Sequence, residues 1–130
     1  MTSTGKTTFD NRQILMDFIE LFYHQRKVRL AFERHVAEDY VQHNPNILDG
    51  REAAIAALEP LFGSPEASFQ IHRILVDGDH AAIHLHGRRS PGVLGGAVVD
   101  LYRLAGDKIV EHWDVLQPIP EHPANPRAMF

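Results

Sequence analysis

Two aspartates, Asp100 and Asp114, stand in the middle of two otherwise apolar stretches, residues 98–104 and 109–116. The stretches alternate in polarity and are joined by a short Gly-containing turn, a pattern typical of a β-hairpin. A carboxylate on a buried strand face is costly unless it is paired or used. Two opposed carboxylates in a low-dielectric pocket cannot easily both stay ionised, so we expect one to hold a proton, which suits general acid or base catalysis.

The register of this hairpin decides whether the two aspartates meet. A three-residue loop, residues 106–108, places Arg103 opposite Glu111, an opposite-charge pair of the kind that stabilises sheets. The same register puts Asp100 opposite Asp114, with Cβ atoms roughly 4.5–5.5 Å apart. A loop of two or four residues would place the aspartates on opposite faces. We adopt the first register because of the Arg103–Glu111 match.

The other cross-strand residue pairs, or rungs, of the hairpin lie on one or the other of its two faces. On the face of the aspartates, Tyr102 lies opposite His112 and Leu104 lies opposite Val110. The opposite face is apolar and would be exposed in a monomer, which is typical of a homodimer interface. The expected interface residues are Val99, Leu101, Trp113 and Val115. The C-terminal tail is the alternative cover for this face.

Histidines supply a second source of chemistry. The stretch 80–87 alternates and places His80, His84 and His86 on one strand face. His84 is expected to share the catalytic proton with the aspartates, and His86 to help bind substrate. With an aspartate, His84 and His86 could also form a two-histidine, one-carboxylate metal set. His-x-His on a strand is common by chance, so we expect no metal.

Three helices are predicted before the sheet. Apolar residues recur at helical spacing over residues 9–27 and 27–37. A third helix runs from Asp49, as N-cap with Glu52 three residues later, to about residue 62.

The segment between the second and third helices carries candidate pocket residues. Pro45 biases Asn44 away from helical geometry, so residues 38–46 are expected to end the helix. This segment would bring Tyr40 and His43 to the mouth of a pocket. The alternative is a helix-terminating loop with local side-chain capping.

Four strands follow the helices, which gives an α+β architecture. We expect the three N-terminal helices to pack in the concave face of a curved four-stranded antiparallel sheet, leaving a mouth suited to a small molecule. The predicted strands are residues 68–76, 80–88, 97–104 and 109–117. The predicted domain organisation is a disordered segment 1–8, a single domain 9–117 and an extended Pro-rich tail 118–130.

The composition limits the classes of partner and chemistry that the protein can have. The 130 residues suffice for one domain with a buried core. A net charge of −4 without a basic run argues against nucleic-acid binding. No cysteine is present, which excludes disulfides and thiolate chemistry. No apolar run approaches about 20 residues, and no signal peptide is evident, so we expect no membrane span and a cytoplasmic location.

Four segments together resemble the SnoaL-like proteins of the nuclear transport factor 2-like superfamily, which also holds ketosteroid isomerase and scytalone dehydratase. They are residues 40–45, 49–52, 98–103 and 109–115. The resemblance covers about residues 9–120, and Glu-His-Trp-Asp at 111–114 is its most specific part. It implies a cone-shaped α+β barrel, usually dimeric, that uses no cofactor.

The resemblance also implies a chemistry. In polyketide-cyclase members an aspartate of the last hairpin acts as acid and base in an intramolecular aldol closure, and Asp114 matches its position. Asp100 stands where those cyclases carry a histidine, so the resemblance does not identify the substrate. We expect proton abstraction and return next to a carbonyl of an apolar small molecule. Asp114 would be the general base, with Asp100 and His84 sharing the proton.

The residues expected to bind that substrate are His43, Tyr40, Tyr102, His112 and His86. The alternative is a non-catalytic ligand-binding or dimerisation module of the same fold, because fold alone does not decide function.

Overall fold

The computed structural model describes residues 10–130, so the segment predicted to be disordered, residues 1–8, lies outside the described residues. The helical elements are α1 (Asn11–Ile19), a π-helical turn (Glu20–His24), α2 (Val28–His35) and α3 (Arg51–Phe62). The strands are β1 (Val36–Gln42), β2 (Ser68–Asp77), β3 (His80–Arg88), β4 (Gly96–Ala105) and β5 (Lys108–Pro118). None of the described helices is long and apolar enough to cross a bilayer.

The sheet has five strands in the order β1-β5-β4-β3-β2, which corrects the predicted four. The additional strand, β1, pairs with β5 in parallel, whereas every other neighbouring pair is antiparallel. The sequence pattern predicts these residues at the end of the second helix and in the loop after it, so that prediction is wrong. The helix instead ends at His35, where Val36 adopts extended geometry. Val36 and Tyr40 are buried and the residues between them are more exposed, a pattern too short to separate helix from strand.

The β4–β5 hairpin confirms the predicted register around the aspartates. Arg103 pairs with Glu111 and Asp100 pairs with Asp114. The prediction was wrong at the turn, where Leu104 pairs with Ile109 rather than with Val110.

The physical reason is a tighter turn followed by a bulge. Ala105 pairs with Lys108, and Gly106 has a positive φ of 64°, so the loop holds two residues rather than three. The register then shifts by one residue, which is the effect of a β-bulge at Val110. The bulge places both Leu104 and Ile109 in the core.

The start of α3 also differs from the prediction. Gly50, with a φ of 97°, precedes the helix, and no side chain caps it. Asp49 does not act as N-cap, because its Oδ1 accepts a hydrogen bond of 2.8 Å from the backbone N–H of Gln42. Asp49 therefore stabilises the end of strand β1.

Aromatic rings fill the space between the helices and the sheet. Phe62 stacks on Phe22 at 4.1 Å and on Phe69 at 4.0 Å between ring centroids. Phe18 makes edge contacts with Phe32 at 5.7 Å. The π-helical turn buries three consecutive residues, Leu21 to Tyr23.

The C-terminal residues cover part of the outer sheet face. Phe130 stacks on His72 at 4.5 Å and lies 4.8 Å from the ring of His86. This contact is on β2 and β3, whereas Val115 on β5 stays 63% exposed. The Phe130 ring therefore does not cover the apolar residues that β5 contributes to this face.

The connection between β3 and β4 depends on Gly95. Its φ is 79°, and a Cβ there would clash with the carbonyl oxygen of Gly87. Gly95→Ala is expected to lower the free energy of unfolding by about 2–3 kcal/mol, because the backbone must shift. Urea unfolding measures this, with Gly92→Ala as control, since nothing lies within 4 Å of that position. Equal stability of the two variants would contradict the close approach.

Candidate active site

A cavity of about 710 Å³ opens between the helices and the inner sheet face. Most of its wall is aromatic or aliphatic, which suits a small apolar molecule. The apolar wall includes Phe22, Phe32, Leu58, Leu61, Phe62, Phe69, Leu85, Val98 and Leu116. The polar side chains that line it include Tyr40, Asn44, Asn46, Arg88, Arg89, Asp100, Tyr102, His112 and Asp114.

Asp100 is the central buried carboxylate of the cavity, with 9% of the residue exposed. Its Oδ2 accepts a hydrogen bond of 2.6 Å from the Tyr23 hydroxyl. Its Oδ1 lies 2.9 Å from Nε2 of His112, which is also buried. Because Tyr23 donates to Asp100, the 2.7 Å contact between the Tyr23 and Tyr102 hydroxyls has Tyr102 as donor.

The position of one proton follows from the hydrogen bonds around His112. Oε1 of Gln42 accepts from the backbone N–H of Asn44 at 3.0 Å, so the amide orientation is fixed. His112 Nδ1, 2.7 Å from the same oxygen, must therefore be a donor. The second nitrogen, Nε2, faces Asp100, and the 2.9 Å contact needs one proton between them. Asp100 and His112 thus form a proton-sharing pair.

Asp114 lies beside this pair and is more accessible. Nδ2 of Asn44 donates to its Oδ2 at 2.8 Å, and Asn44 is held because its Oδ1 accepts from the Asn46 N–H at 2.9 Å. The same Oδ2 is 4.0 Å from His112 Nε2. The side chain of Asp114 is 23% exposed, against 12% for Asp100. Within residues 10–130, Asn44 is its one hydrogen-bond donor, so Oδ1 can meet a ligand.

Three buried tyrosines surround the acids. Burial raises the pKa of Tyr23 and Tyr102 well above the usual value, and the charge of Asp100 raises it further. Burial likewise raises the pKa of Tyr40. All three phenols therefore stay neutral, and Tyr23 and Tyr102 act as donors. The Tyr40 oxygen accepts from Gln42 Nε2 at 3.4 Å, and within residues 10–130 its own hydrogen has no acceptor.

Asp100, His112 and Asp114 each offer one atom within 4.8 Å of the others, a spacing that could hold a cation. The contact between Asp100 and His112 is satisfied by a shared proton, and a cation would have to displace it. The alternative metal set was wrong in its geometry. His84 and His86 alternate with Ile83 and Leu85, so they face away from both aspartates.

The structure brings five of the eight predicted site residues to the cavity, namely Asp100, Asp114, Tyr40, Tyr102 and His112. The other three lie on the outer side. His84 Nδ1 is 2.9 Å from Arg73, and His86 Nε2 is 2.8 Å from the Leu94 carbonyl oxygen. His43 stacks on Trp113 at 4.8 Å and bonds to Glu111 at 2.7 Å. The placement of His84 beside the aspartates is therefore corrected: it cannot share their proton from this face.

Sequence reasoning missed Tyr23, Gln42 and Asn44. Tyr23 reaches Asp100 from the π-helical turn, and no sequence pattern indicates that turn. Gln42 and Asn44 flank His43, so their segment was identified but the wrong side chain was selected.

Fold and site together define a small α+β protein with a largely apolar cavity and an acid–histidine pair at its polar end. The model of the SnoaL-like domain matches residues 16–112. The chain belongs to the SnoaL-like family. None of the curated proteins matches it in sequence.

Solved structures share the fold at low identity. An NTF2-like protein of unknown function from Cytophaga hutchinsonii is 18% identical, with 87% of this chain and 95% of that chain covered and a TM-score of 0.69. A proposed ketosteroid isomerase from Kribbella flavida is 17% identical, with coverages of 88% and 83% and a TM-score of 0.69. A proposed SnoaL-like polyketide cyclase from Jannaschia is 18% identical, with coverages of 86% and 91% and a TM-score of 0.62.

The tyrosine environment predicts an unusual alkaline titration. The chain has three tyrosines and all are buried with raised pKa values. Unfolded tyrosine titrates near pH 10, so their contribution to stability is complete below about pH 10 and is lost as pH rises further. Phenolate absorbance is expected to appear only as the protein unfolds, with Trp113 fluorescence reporting unfolding. A phenolate signal near pH 10 in the folded protein would contradict this.

Proposed function

We propose that the protein is a cofactor-independent enzyme that removes a proton from a carbon next to a carbonyl and returns it elsewhere on an apolar small molecule. The observation that carries the proposal is the accessible carboxylate of Asp114 beside the proton-sharing pair Asp100–His112 in an apolar cavity. Aldol-type cyclisation, isomerisation and dehydration all begin with this step. Relatives named as polyketide cyclase and ketosteroid isomerase support the same class.

Asp114 is proposed as the general base. Its Oδ1 has room for a substrate, whereas both oxygens of Asp100 are engaged by Tyr23 and His112. Asn44 holds the carboxylate in place through Oδ2. When Asp114 takes the proton, the electron pair of the C–H bond moves to the carbonyl oxygen and forms an enolate.

Tyr40 is proposed to bind that oxygen. Its hydroxyl is neutral because burial raises its pKa, and its hydrogen is not engaged by residues 10–130. A neutral donor on the wall of a largely apolar cavity stabilises charge that develops on the oxygen.

The pair Asp100–His112 is proposed to return a proton. It holds one proton between Oδ1 and Nε2, and Nε2 is 4.0 Å from the base. The proton would go to carbon in an isomerisation, to a second carbonyl oxygen in an aldol closure, or to a leaving hydroxyl in a dehydration. Asp114 gives up its acquired proton to restore the pair.

Asp114→Asn tests the base. We expect the variant to slow α-proton exchange of bicyclic ketones such as β-tetralone by at least about 100-fold, since a positioned base contributes roughly that much. Exchange into heavy water, followed by proton NMR, gives the rate above the uncatalysed background. The fold should survive, because the asparagine oxygen can still accept from Asn44.

Asp39→Asn is the matched control, because Asp39 is an exposed aspartate of β1 that does not line the cavity. Wild-type exchange in Asp114→Asn would overturn the assignment of the base. Loss of stability without loss of exchange would favour the alternative of a non-catalytic binding module.

A homodimer through the outer sheet face is part of the proposal. Val115 is 63% exposed, and Val99, Leu101 and Trp113 adjoin it across the β4–β5 ladder. A contiguous apolar patch of this kind is typical of an interface.

Val115→Lys is expected to convert the dimer to a monomer, because a lysine would be buried without a partner. Sedimentation equilibrium measures the mass, and Leu48→Lys serves as control, since Leu48 is 80% exposed on the loop after β1. A wild-type monomer, or a Val115→Lys dimer as tight as wild type, would refute this interface.

A further inference from the structure

We propose that Arg88 and Arg89 form an anion subsite at the end of the cavity opposite Asp114. The substrate class would then be an elongated apolar molecule that carries a carboxylate, sulfonate or phosphate remote from the reacting carbonyl. This inference rests on the proposed function, which places the reacting carbon of the substrate beside Asp114. It adds the chemical nature of the other end of the substrate.

The polarity of the cavity wall changes along strands β3, β4 and β5. Three successive rungs, each a set of one residue from each strand aligned side by side, face inward. The first rung holds both acids, aligned as Ile83, Asp100 and Asp114. The second rung is fully apolar, aligned as Leu85, Val98 and Leu116. The third rung consists of Gly87, Gly96 and Pro118.

The third rung lies four residues along β4 from Asp100, about 13 Å at the usual rise of a strand. Arg88 and Arg89 follow Gly87 directly, and both line the cavity. A ligand that spans the cavity therefore meets acids and hydrogen-bond donors at one end, hydrocarbon in the middle and the segment that carries Arg88 and Arg89 at the other end.

The two arginines have no acidic partner in residues 10–130. The ion pairs of that part of the chain use Arg29, Arg51 and Arg103 but neither Arg88 nor Arg89. Residues 1–9 contain no aspartate or glutamate. The one side-chain hydrogen bond of Arg88 within residues 10–130 is a long contact of 3.5 Å to Ser68 Oγ.

Unpaired guanidinium groups are notable in a chain whose net charge is −4. Asp100 and Asp114 are the acids that line the cavity, and they lie at the other end. The planar guanidinium matches carboxylate, sulfonate and phosphate oxygens, with which it forms paired hydrogen bonds.

Local packing positions Arg88 at the mouth. A Cβ at Gly95 would lie 2.6 Å from Cγ of Arg88, so the glycine backbone packs directly against the arginine stem. Arg88 is half-buried and Arg89 is exposed. The stem of Arg88 is therefore held in place beside Gly95, and the exposed Arg89 can adjust to a ligand.

The test compares an anion with its uncharged counterpart of equal chain length. Decanoate and decanol each displace the neutral fluorescent probe phenylnaphthylamine from the cavity, and the displacement gives both affinities. We expect the wild type to bind decanoate more tightly than decanol, with an advantage that falls as salt is added.

The double variant Arg88→Gln/Arg89→Gln should lose at least about tenfold in affinity for decanoate and bind decanol as the wild type does. The control Arg34→Gln/Arg127→Gln removes the same charge from positions that do not line the cavity and should keep the wild-type ratio. Equal preference for decanoate in both double variants, or no preference in the wild type, would overturn the subsite.

The failure of each proposal has its own signature. Preference for decanoate that depends on Arg88 and Arg89, without ketone exchange by the wild type, would retain the anion subsite and overturn the enzymatic function. Ketone exchange that depends on Asp114, without preference for decanoate, would retain the base and overturn the subsite.

Discussion

Burial of the Asp100 carboxylate is the constraint on which the rest of the structure depends. A charge taken out of water must be paired and hydrogen-bonded, or folding is strongly penalised. Tyr23 and His112 meet this demand from a helical segment and from the neighbouring strand. Gln42 on a third element then orients His112. One carboxylate therefore couples the helical layer, the central hairpin and the edge strand.

Several irregular features of the fold have a clear role in this network. The π-helical turn buries Tyr23, and the bulge at Val110 keeps Asp100 opposite Asp114 while the turn stays tight. Asp49 leaves the helix N-terminus without a side-chain cap and instead stabilises the end of β1, next to Gln42. The helix and the hairpin are irregular at these points, and these irregularities accompany a complete set of hydrogen-bond partners for the buried Asp100 carboxylate.

Much of the hairpin could be predicted from sequence because opposite charges and alternation are local signals. The pairing of Arg103 with Glu111 fixes the rung that joins Asp100 and Asp114. The α+β class followed from helical spacing in the first half of the chain and alternation in the second, and the family followed from the hairpin together with residues 40–45 and 49–52.

What could not be predicted depends on distant parts of the chain. The strand β1 forms because β5 supplies its hydrogen bonds, and nothing within seven residues of sequence specifies that partner. The side of β3 that faces the cavity was assigned by the chemistry of histidine, although the apolar residues between the histidines are the ones that pack inward. Tyr23 was missed for a similar reason, since its role arises from contacts 77 residues away.

The parallel pairing of β1 with β5 has a consequence for how the protein folds. Strands β2 to β5 can assemble by local hairpins, but the edge strand must wait for the last strand of the sheet. The same is true of the polar network, whose bonds join residues 70 and 77 positions apart. Contacts of this separation form slowly because the chain loses the entropy of loop closure before the contacts stabilise it. Tyr23 and Gln42 thus join the proton-sharing pair late in folding, whereas Asp100 and His112 themselves lie only 12 positions apart in the local β4–β5 hairpin.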